Sequence, residues 1–256
     1  MTMLRNAFCV FIAIFWTALL FPVVSVVMLL TFDSSASMWV VKVAWSRVLL
    51  WAGGARLEVR GTENVPVGGP LIFVANHQST IDIPTLFAAI PTDFRFVAKK
   101  ALMYVPILGW YMWMAKFVFV NRSHRREAIA SLEQAALRIR GGISIVMFPE
   151  GTRSESLRIL PFKKGPFALA MRAGVPIVPV AIEGSGKLMP KNSWNITPGP
   201  IRVSIGRPID PVQFGDDRDR LLRVVRSAII DLNLGLGGLG ADLALAHDEP
   251  TAEVAE

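Results

Sequence analysis

Residues 70–90 read PLIFVANHQSTIDIPTLFAAI, and the change of pattern inside this stretch decides the fold. "PLIFVAN" is short and almost wholly apolar, the signature of a strand buried on both faces. "STIDIPTLFAAI" then takes up the composition of a helix. A strand that feeds a helix through a polar turn is the repeating unit of a parallel α/β sheet.

The same alternation continues on either side. "ARLEVRG" (55–61) alternates like an edge strand, and "FRFVAKK" (94–100) is another strand-like run. "RREAIASLEQAALRIRGG" (125–142) is an amphipathic helix with a glycine stop, and "ISIVMF" (143–148) is a buried strand. Next come the helix "PFALAMRAG" (166–174), the strands "VPIVPVAI" (175–182) and "IRVSIG" (201–206), and a last helix over 217–235. Residues 101–122 are very apolar, but Pro106, Gly109 and Lys116 interrupt them. They read as a buried or membrane-grazing helix that runs into the strand "KFVFV". The expected fold is α/β, a largely parallel mixed sheet covered by helices on both faces.

Ahead of this domain, residues 6–32 run for 27 positions without a charge or histidine. About 20 apolar residues suffice to span a bilayer. The run is longer than a signal-peptide core and has no small-residue cleavage site with suitable flanks, so it reads as an uncleaved anchor. In "MWVVKVAWSRVLLWAGG" (38–54), Lys42, Ser46 and Arg47 form a narrow polar stripe beside Trp39, Trp45 and Trp51. That pattern fits a helix in the headgroup region or the return arm of a membrane-anchoring helical hairpin. A surface helix docked on the core is the competing reading. The chain therefore divides into an anchor of two helices (1–55), a catalytic domain (56–234) and a flexible acidic tail (235–256).

Charge is distributed unevenly. Residues 1–215 carry 23 lysines and arginines against 11 acids, a net +12, whereas residues 216–256 carry 4 against 9, a net −5. A basic body behind an anchor suits anionic headgroups, phosphorylated substrates or an acidic carrier protein. A membrane-tethered nucleic-acid binder is the other meaning of such charge, but no nucleic-acid motif accompanies it. One cysteine, Cys9, and three dispersed histidines at 77, 124 and 247 leave no metal-ligand pattern. "GLGGLG" (235–240) follows a helix rather than a strand, which argues against a nucleotide loop.

Two turns carry chemistry. His77 and Asp82 stand at the strand-to-helix switch, on the edge where α/β proteins bind ligands. A histidine there can take a proton at neutral pH, and a carboxylate five residues on can hold its other ring nitrogen. The pair lacks a protein nucleophile, since neither Ser79 nor Thr80 lies in a nucleophile elbow. The hydroxyl must then arrive with a substrate. Spacing alone equally allows Ser79-x-x-Asp82 to be a capping box, with His77 a structural hydrogen-bonder. The second turn, "FPEGTRS" (148–154), places Glu150, Gly151, Thr152 and Arg153 after another strand. A glycine turn with an arginine makes a phosphate cradle, and a plain surface ion pair is the alternative.

Taken together, these blocks resemble the glycerolipid acyltransferase family with the His-x4-Asp motif. "NHQSTID" resembles its first box, "FVFVNR" (117–122) its second, "FPEGTRS" its third and "GVPIVPVAI" (174–182) its fourth. "VAKK" (97–100) and "GRPI" (206–209) match further landmarks, so the likeness spans about residues 56–212. One departure is Lys116, where the family often has glycine. The resemblance implies transfer of a fatty acyl group from an acyl thioester to the free sn-2 hydroxyl of 1-acylglycerol-3-phosphate, giving phosphatidic acid. It makes His77 the general base and Asp82 its orienting partner. Arg122, Glu150, Gly151, Thr152 and Arg153 become acceptor-binding residues, with Lys99 a helper. Arg122 and Arg153 would meet phosphate, whereas Glu150 would meet the glycerol or position an arginine. Amides around "PIVPV" are the candidate oxyanion donors. No metal or cofactor is implied, only an acyl carrier protein or coenzyme A thioester as co-substrate. A membrane location at the cytoplasmic face of the inner (plasma) membrane follows. Another lysolipid acceptor, such as a lyso-aminolipid, and a non-catalytic lipid binder of the same fold are the alternatives.

Overall fold

A computed structural model describes residues 2–105, 108–120 and 125–241. Seven strands form one sheet: β1 (Ala55–Arg60), β2 (Ile72–Ala75), β3 (Arg95–Lys99), β4 (Val118–Val120), β5 (Ile145–Met147), β6 (Ile177–Glu183) and β7 (Gly199–Ile205). Their order is β1-β7-β6-β2-β5-β3-β4. Only the β6–β7 pair is antiparallel, so the sheet is mixed but largely parallel, as the alternation of runs implies.

β2 sits near the centre, and all four of its side chains are buried. Ile72 and Val74 join the apolar core on one face, while Phe73 and Ala75 join the core on the other. This is why the strand is continuously apolar: its alternation of faces finds no water on either side. β1, at the sheet edge, alternates half-buried with exposed residues instead.

The helices are α1 (Thr2–Thr31), α2 (Ser34–Val40), α3 (Ser46–Ala52), α4 (Asp82–Ala89), α5 (Leu108–Met114), α6 (Arg125–Arg140), α7 (Lys164–Ala173), α8 (Ser185–Leu188) and α9 (Arg218–Gly235). α6, α7 and α9 supply the core on one face of the sheet, and α4 and α5 supply the other. At 30 residues α1 extends about 45 Å. It is long and apolar enough to cross a membrane, with most of its side chains unburied.

α2 and α3 join through a π-helical turn, Val41–Trp45, and return along α1, so the amino-terminal unit is a helical hairpin. Trp45 Nε1 donates to Thr17 Oγ1 at 2.8 Å, Trp16 Nε1 to the Ala44 carbonyl at 3.2 Å, and Cys9 Sγ to the Ala52 carbonyl at 3.0 Å. Two of the three residues of the polar stripe, Lys42 and Ser46, point inward. Lys42 Nζ donates to the carbonyls of Ile90 and Thr92, 2.7 Å each, at the end of α4. Ser46 is fully buried. Arg47, the third stripe residue, is exposed, as are Trp39, Val43 and Trp51. Arg95, buried in β3, reaches Ser34 Oγ at 2.9 Å and adds a second tie. An anchor fastened by charged bonds into the catalytic domain is part of its architecture.

Residues 236–241, expected to belong to a flexible tail, are tied to the fold. Leu236 is buried, Gly240 N–H donates to Asn233 Oδ1 at 3.1 Å, and Ile159 N–H donates to the Gly240 carbonyl at 2.8 Å. Residues 242–256 lie outside the described residues.

Candidate active site

The sheet order assembles the site. β2 pairs with β5 in parallel, Val74 opposite Met147, so the loops that leave their carboxyl ends lie side by side. One loop carries His77 and the other carries Glu150. β3 pairs with the other edge of β5 and brings Lys99 to the same rim.

His77 Nδ1 lies 2.8 Å from Asp82 Oδ2. Asp82 is fully buried at the first position of α4. The same Oδ2 accepts the main-chain N–H groups of Gln78 at 2.8 Å and Ser79 at 2.9 Å. Asp82 thus holds the turn through two amides with the same oxygen that meets the His77 ring, so the two readings of its spacing do not compete. A carboxylate oxygen in this position favours the proton on Nδ1 and leaves Nε2 of His77 able to accept one. The imidazole also stacks on Phe148, with ring centroids 3.9 Å apart and planes inclined by 12°. Ring rotation is thus limited on one side by the carboxylate and on another by the phenyl face.

Glu150 does not face outward. It is 3% exposed; Oε1 accepts the His77 N–H at 2.7 Å and Oε2 accepts the Leu160 N–H at 3.0 Å. Both carboxyl oxygens are taken by main-chain N–H groups, so the side chain braces the loop that carries His77, and the buried Arg226 is close enough to favour its ionised form. Burial pushes the carboxyl up to about 8, opposed by the two amides, which favour the ionised form. The return contact, Ser154 N–H to the His77 carbonyl at 2.8 Å, locks the loops together.

Gly151 has φ +71, a conformation that disfavours a side chain. Its position also matters for space, since a Cβ there would meet Lys163 Nζ at 2.9 Å. Lys163 was missed by sequence reasoning, although two lysines at the start of α7 oppose the helix dipole and signal another duty. Lys164 has its answer in Asp219, 2.7 Å away. Arg153 Nη1 donates to Thr80 Oγ1 at 2.8 Å, and Thr152 is exposed. Arg122 lies outside the described residues.

The local hydroxyls are spoken for. Ser79 is fully buried and its Oγ donates to the Met189 carbonyl at 2.6 Å, while Thr80 receives Arg153. The amides near "PIVPV" belong to β6, which is wholly buried; Ile177 N–H, for example, pairs with the Ile209 carbonyl at 2.8 Å. They do not face the catalytic loop as oxyanion donors.

Beside His77 opens an apolar cavity of about 510 Å³. His77, Phe148 and Lys99 line it from the sheet edge, and Phe21, Val24 and Trp45 line it from the hairpin. The cavity thus connects the base to the anchor helices. No group of three metal-ligating side chains comes together among the described residues. A histidine held by a buried carboxylate, the cation Lys99 and an apolar cavity meet here, with no free serine, threonine or cysteine side chain beside His77 among the described residues, an arrangement suited to group transfer onto a hydroxyl that a substrate brings.

Comparison with known proteins agrees with that class. The family model described as Acyltransferase matches residues 56–183, and the chain belongs to this family. A chloroplastic 1-acyl-sn-glycerol-3-phosphate acyltransferase of Brassica napus is 36% identical over 178 residues, 69% of this chain and 50% of its own length. The 1-acyl-sn-glycerol-3-phosphate acyltransferase of Saccharomyces cerevisiae is 36% identical over 197 residues, 75% of this chain and 65% of that one. The chain thus spans about half to two thirds of the length of these relatives. The crystal structure of the 1-acyl-sn-glycerophosphate acyltransferase PlsC from Thermotoga maritima superposes with a TM-score of 0.81 at 30% identity, covering 92% of this chain and 96% of that one.

Proposed function

We propose that this protein transfers a fatty acyl group from an acyl thioester to the sn-2 hydroxyl of 1-acylglycerol-3-phosphate, forming phosphatidic acid. The observation that carries the reading is the His77–Asp82 pair, 2.8 Å apart, at the wall of an apolar cavity that Lys99 also lines. Nε2 of His77 takes the hydroxyl proton, and the oxygen attacks the thioester carbonyl. The C–O bond forms and the C–S bond breaks. The imidazolium, held by Asp82, returns its proton to the leaving thiolate. Positioned proton transfer of this kind contributes about 10²–10⁴-fold.

The donor's acyl chain occupies the cavity between sheet edge and hairpin, which shields an apolar chain from water. Arg153, Lys99 and Lys163 bind the acceptor phosphate, together with Arg122. The thioester comes from acyl carrier protein or coenzyme A, both acidic partners for a basic body. Substrate and product are membrane lipids, which is the reason for an exposed apolar α1. The site faces the cytoplasm at the inner (plasma) membrane, where such thioesters are made.

The test is an acceptor panel. Full-length protein in detergent, given a palmitoyl thioester, should acylate lysophosphatidate and leave lysolipids without phosphate largely untouched. Equal transfer to a lyso-aminolipid would overturn the acceptor assignment. Specific binding of lysolipids with no transfer to any would mark a non-catalytic member.

A further inference from the structure

A second apolar cavity, of about 290 Å³, lies on the other side of the hairpin. Val10, Ala13 and Leu49 line it from the helices, and Thr80, Ile81 and Pro84 line it from the catalytic loop and α4. Two of its wall residues, Trp45 and Ile83, also line the larger cavity. A partition made by one tryptophan and one isoleucine therefore separates the two.

The mouth of this cavity is polar in one place. Thr80 is part of its wall, and the Thr80 hydroxyl accepts Arg153 Nη1 at 2.8 Å. His77, three residues earlier, belongs to the larger cavity. A base, a cation and an apolar compartment thus meet over four consecutive residues. The far end is fastened: Arg5 donates to the Ile196 carbonyl, and Ile196 N–H donates to Asn6 Oδ1 at 3.1 Å. Ile14 of the same wall is 67% exposed, so the cavity adjoins the exposed apolar side of α1.

We infer that this second cavity holds the 1-acyl chain of the acceptor. The inference rests on the reading of the site as a lysophosphatidate acyltransferase. A lysophosphatidate carries its chain, free hydroxyl and phosphate on three adjacent carbons. With the phosphate on Arg153 and the hydroxyl at His77, the remaining chain is directed past Thr80 into the cavity that Thr80 lines. The incoming donor chain lies across the Trp45–Ile83 partition. The two chains of the product are held apart until the new ester has formed.

The test compares 1-hexanoyl and 1-palmitoyl lysophosphatidate, both below their critical micelle concentrations, with one fixed donor. Wild type should show a KM at least ~10-fold lower for the long acceptor, the direction expected of chain burial. In Ala13→Phe, which fills the cavity, that ratio should fall to about twofold or less, while the donor chain-length optimum stays where it was. Leu49→Phe fills the same space from α3 and should do likewise. A palmitoyl acceptor with a terminal diazirine should label peptides from residues 9–14 and 45–53 of the wild type, a readout independent of any variant. Labelling confined to the larger cavity, or a long-to-short ratio unchanged in folded variants, overturns the inference. So does a loss of vesicle retention with an unchanged ratio, which would make bulk bilayer lipid the occupant. If wild type acylates neither acceptor, the reading of the function falls first and this inference with it.

Discussion

Glu150 accepts the main-chain N–H of His77 at 2.7 Å, so this histidine is positioned through its backbone as well as its ring. The carboxyl also holds Leu160 N–H at 3.0 Å, which ties the catalytic loop to the chain beyond the glycine turn. A glutamate in such a motif looks like a ligand for substrate. Here both of its oxygens serve the protein.

Its titration gives the first prediction. Burial raises the folded carboxyl from 4.5 to about 8, so between those values the native state binds a proton that the unfolded chain has released. Stability from this group is fully present below about 4.5 and is lost as pH rises through about 8. Thermal unfolding in detergent from pH about 5 to about 8.5 should show a falling midpoint in wild type and a flatter profile in Glu150→Gln. Parallel profiles would mean that the carboxyl is ionised throughout.

Asp82→Asn separates capping from catalysis. The fully buried Oδ2 receives one imidazole and two amides, and an amide side chain removes the charge that stabilises the imidazolium. We predict a kcat loss of about 10³–10⁴-fold with acceptor KM changed less than about threefold. A lowered melting temperature with full kcat would leave Asp82 only a cap, a role worth about 1 kcal/mol.

Phe148→Leu tests the stacked face. The phenyl ring lies 3.9 Å from the imidazole, and an aromatic pair contributes about 0.5–1.5 kcal/mol beyond its burial. We predict a kcat reduced about 3–10-fold with acceptor KM little changed. Steady-state kinetics with both substrates varied will show it.

Arg153→Ala should act on the acceptor. A charged hydrogen bond of about 1.5–3 kcal/mol corresponds to about a 10–100-fold rise in lysophosphatidate KM. The donor KM should stay within about twofold. An unchanged acceptor KM and kcat would remove Arg153 from the phosphate site.

Lys116 holds φ +63, a left-handed conformation in which its Cβ is strained. The departure from glycine therefore leaves the backbone as glycine would set it, and Lys116→Gly should stabilise the fold by about 1 kcal/mol. Chemical unfolding in detergent measures this, and a destabilised variant would contradict it.

Much of this was legible in the chain. Apolar runs that end at "NHQSTID" and "FPEGTRS" mark buried strands because both faces of a central strand are dry, and five-residue spacing suffices for Asp82 to reach the His77 ring. What the chain does not display is which loops become neighbours. The brace from Glu150 to His77 exists because β2 lies beside β5, a relation between residues 73 positions apart. The Lys42–Ser46 stripe was ambiguous for a different reason: a polar stripe looks the same whether it meets headgroups or the carbonyls at the end of α4. The amides of "PIVPV" were lost as oxyanion donors because a run apolar enough to be central in the sheet has its N–H groups committed there. Lys163 was obscured by its distance in sequence from the turn it covers; its N–H bond to the Pro149 carbonyl at 2.9 Å and the missing Cβ of Gly151 reveal the contact.

The most direct measurement follows phosphatidic acid by mass spectrometry when purified wild type and His77→Ala are each given 1-acylglycerol-3-phosphate and a palmitoyl thioester. We predict abundant product from wild type and almost none from His77→Ala, with the variant folded and retained on membranes. Equal product from both proteins would contradict the assignment of His77 as the base and leave "NHQSTID" a structural turn.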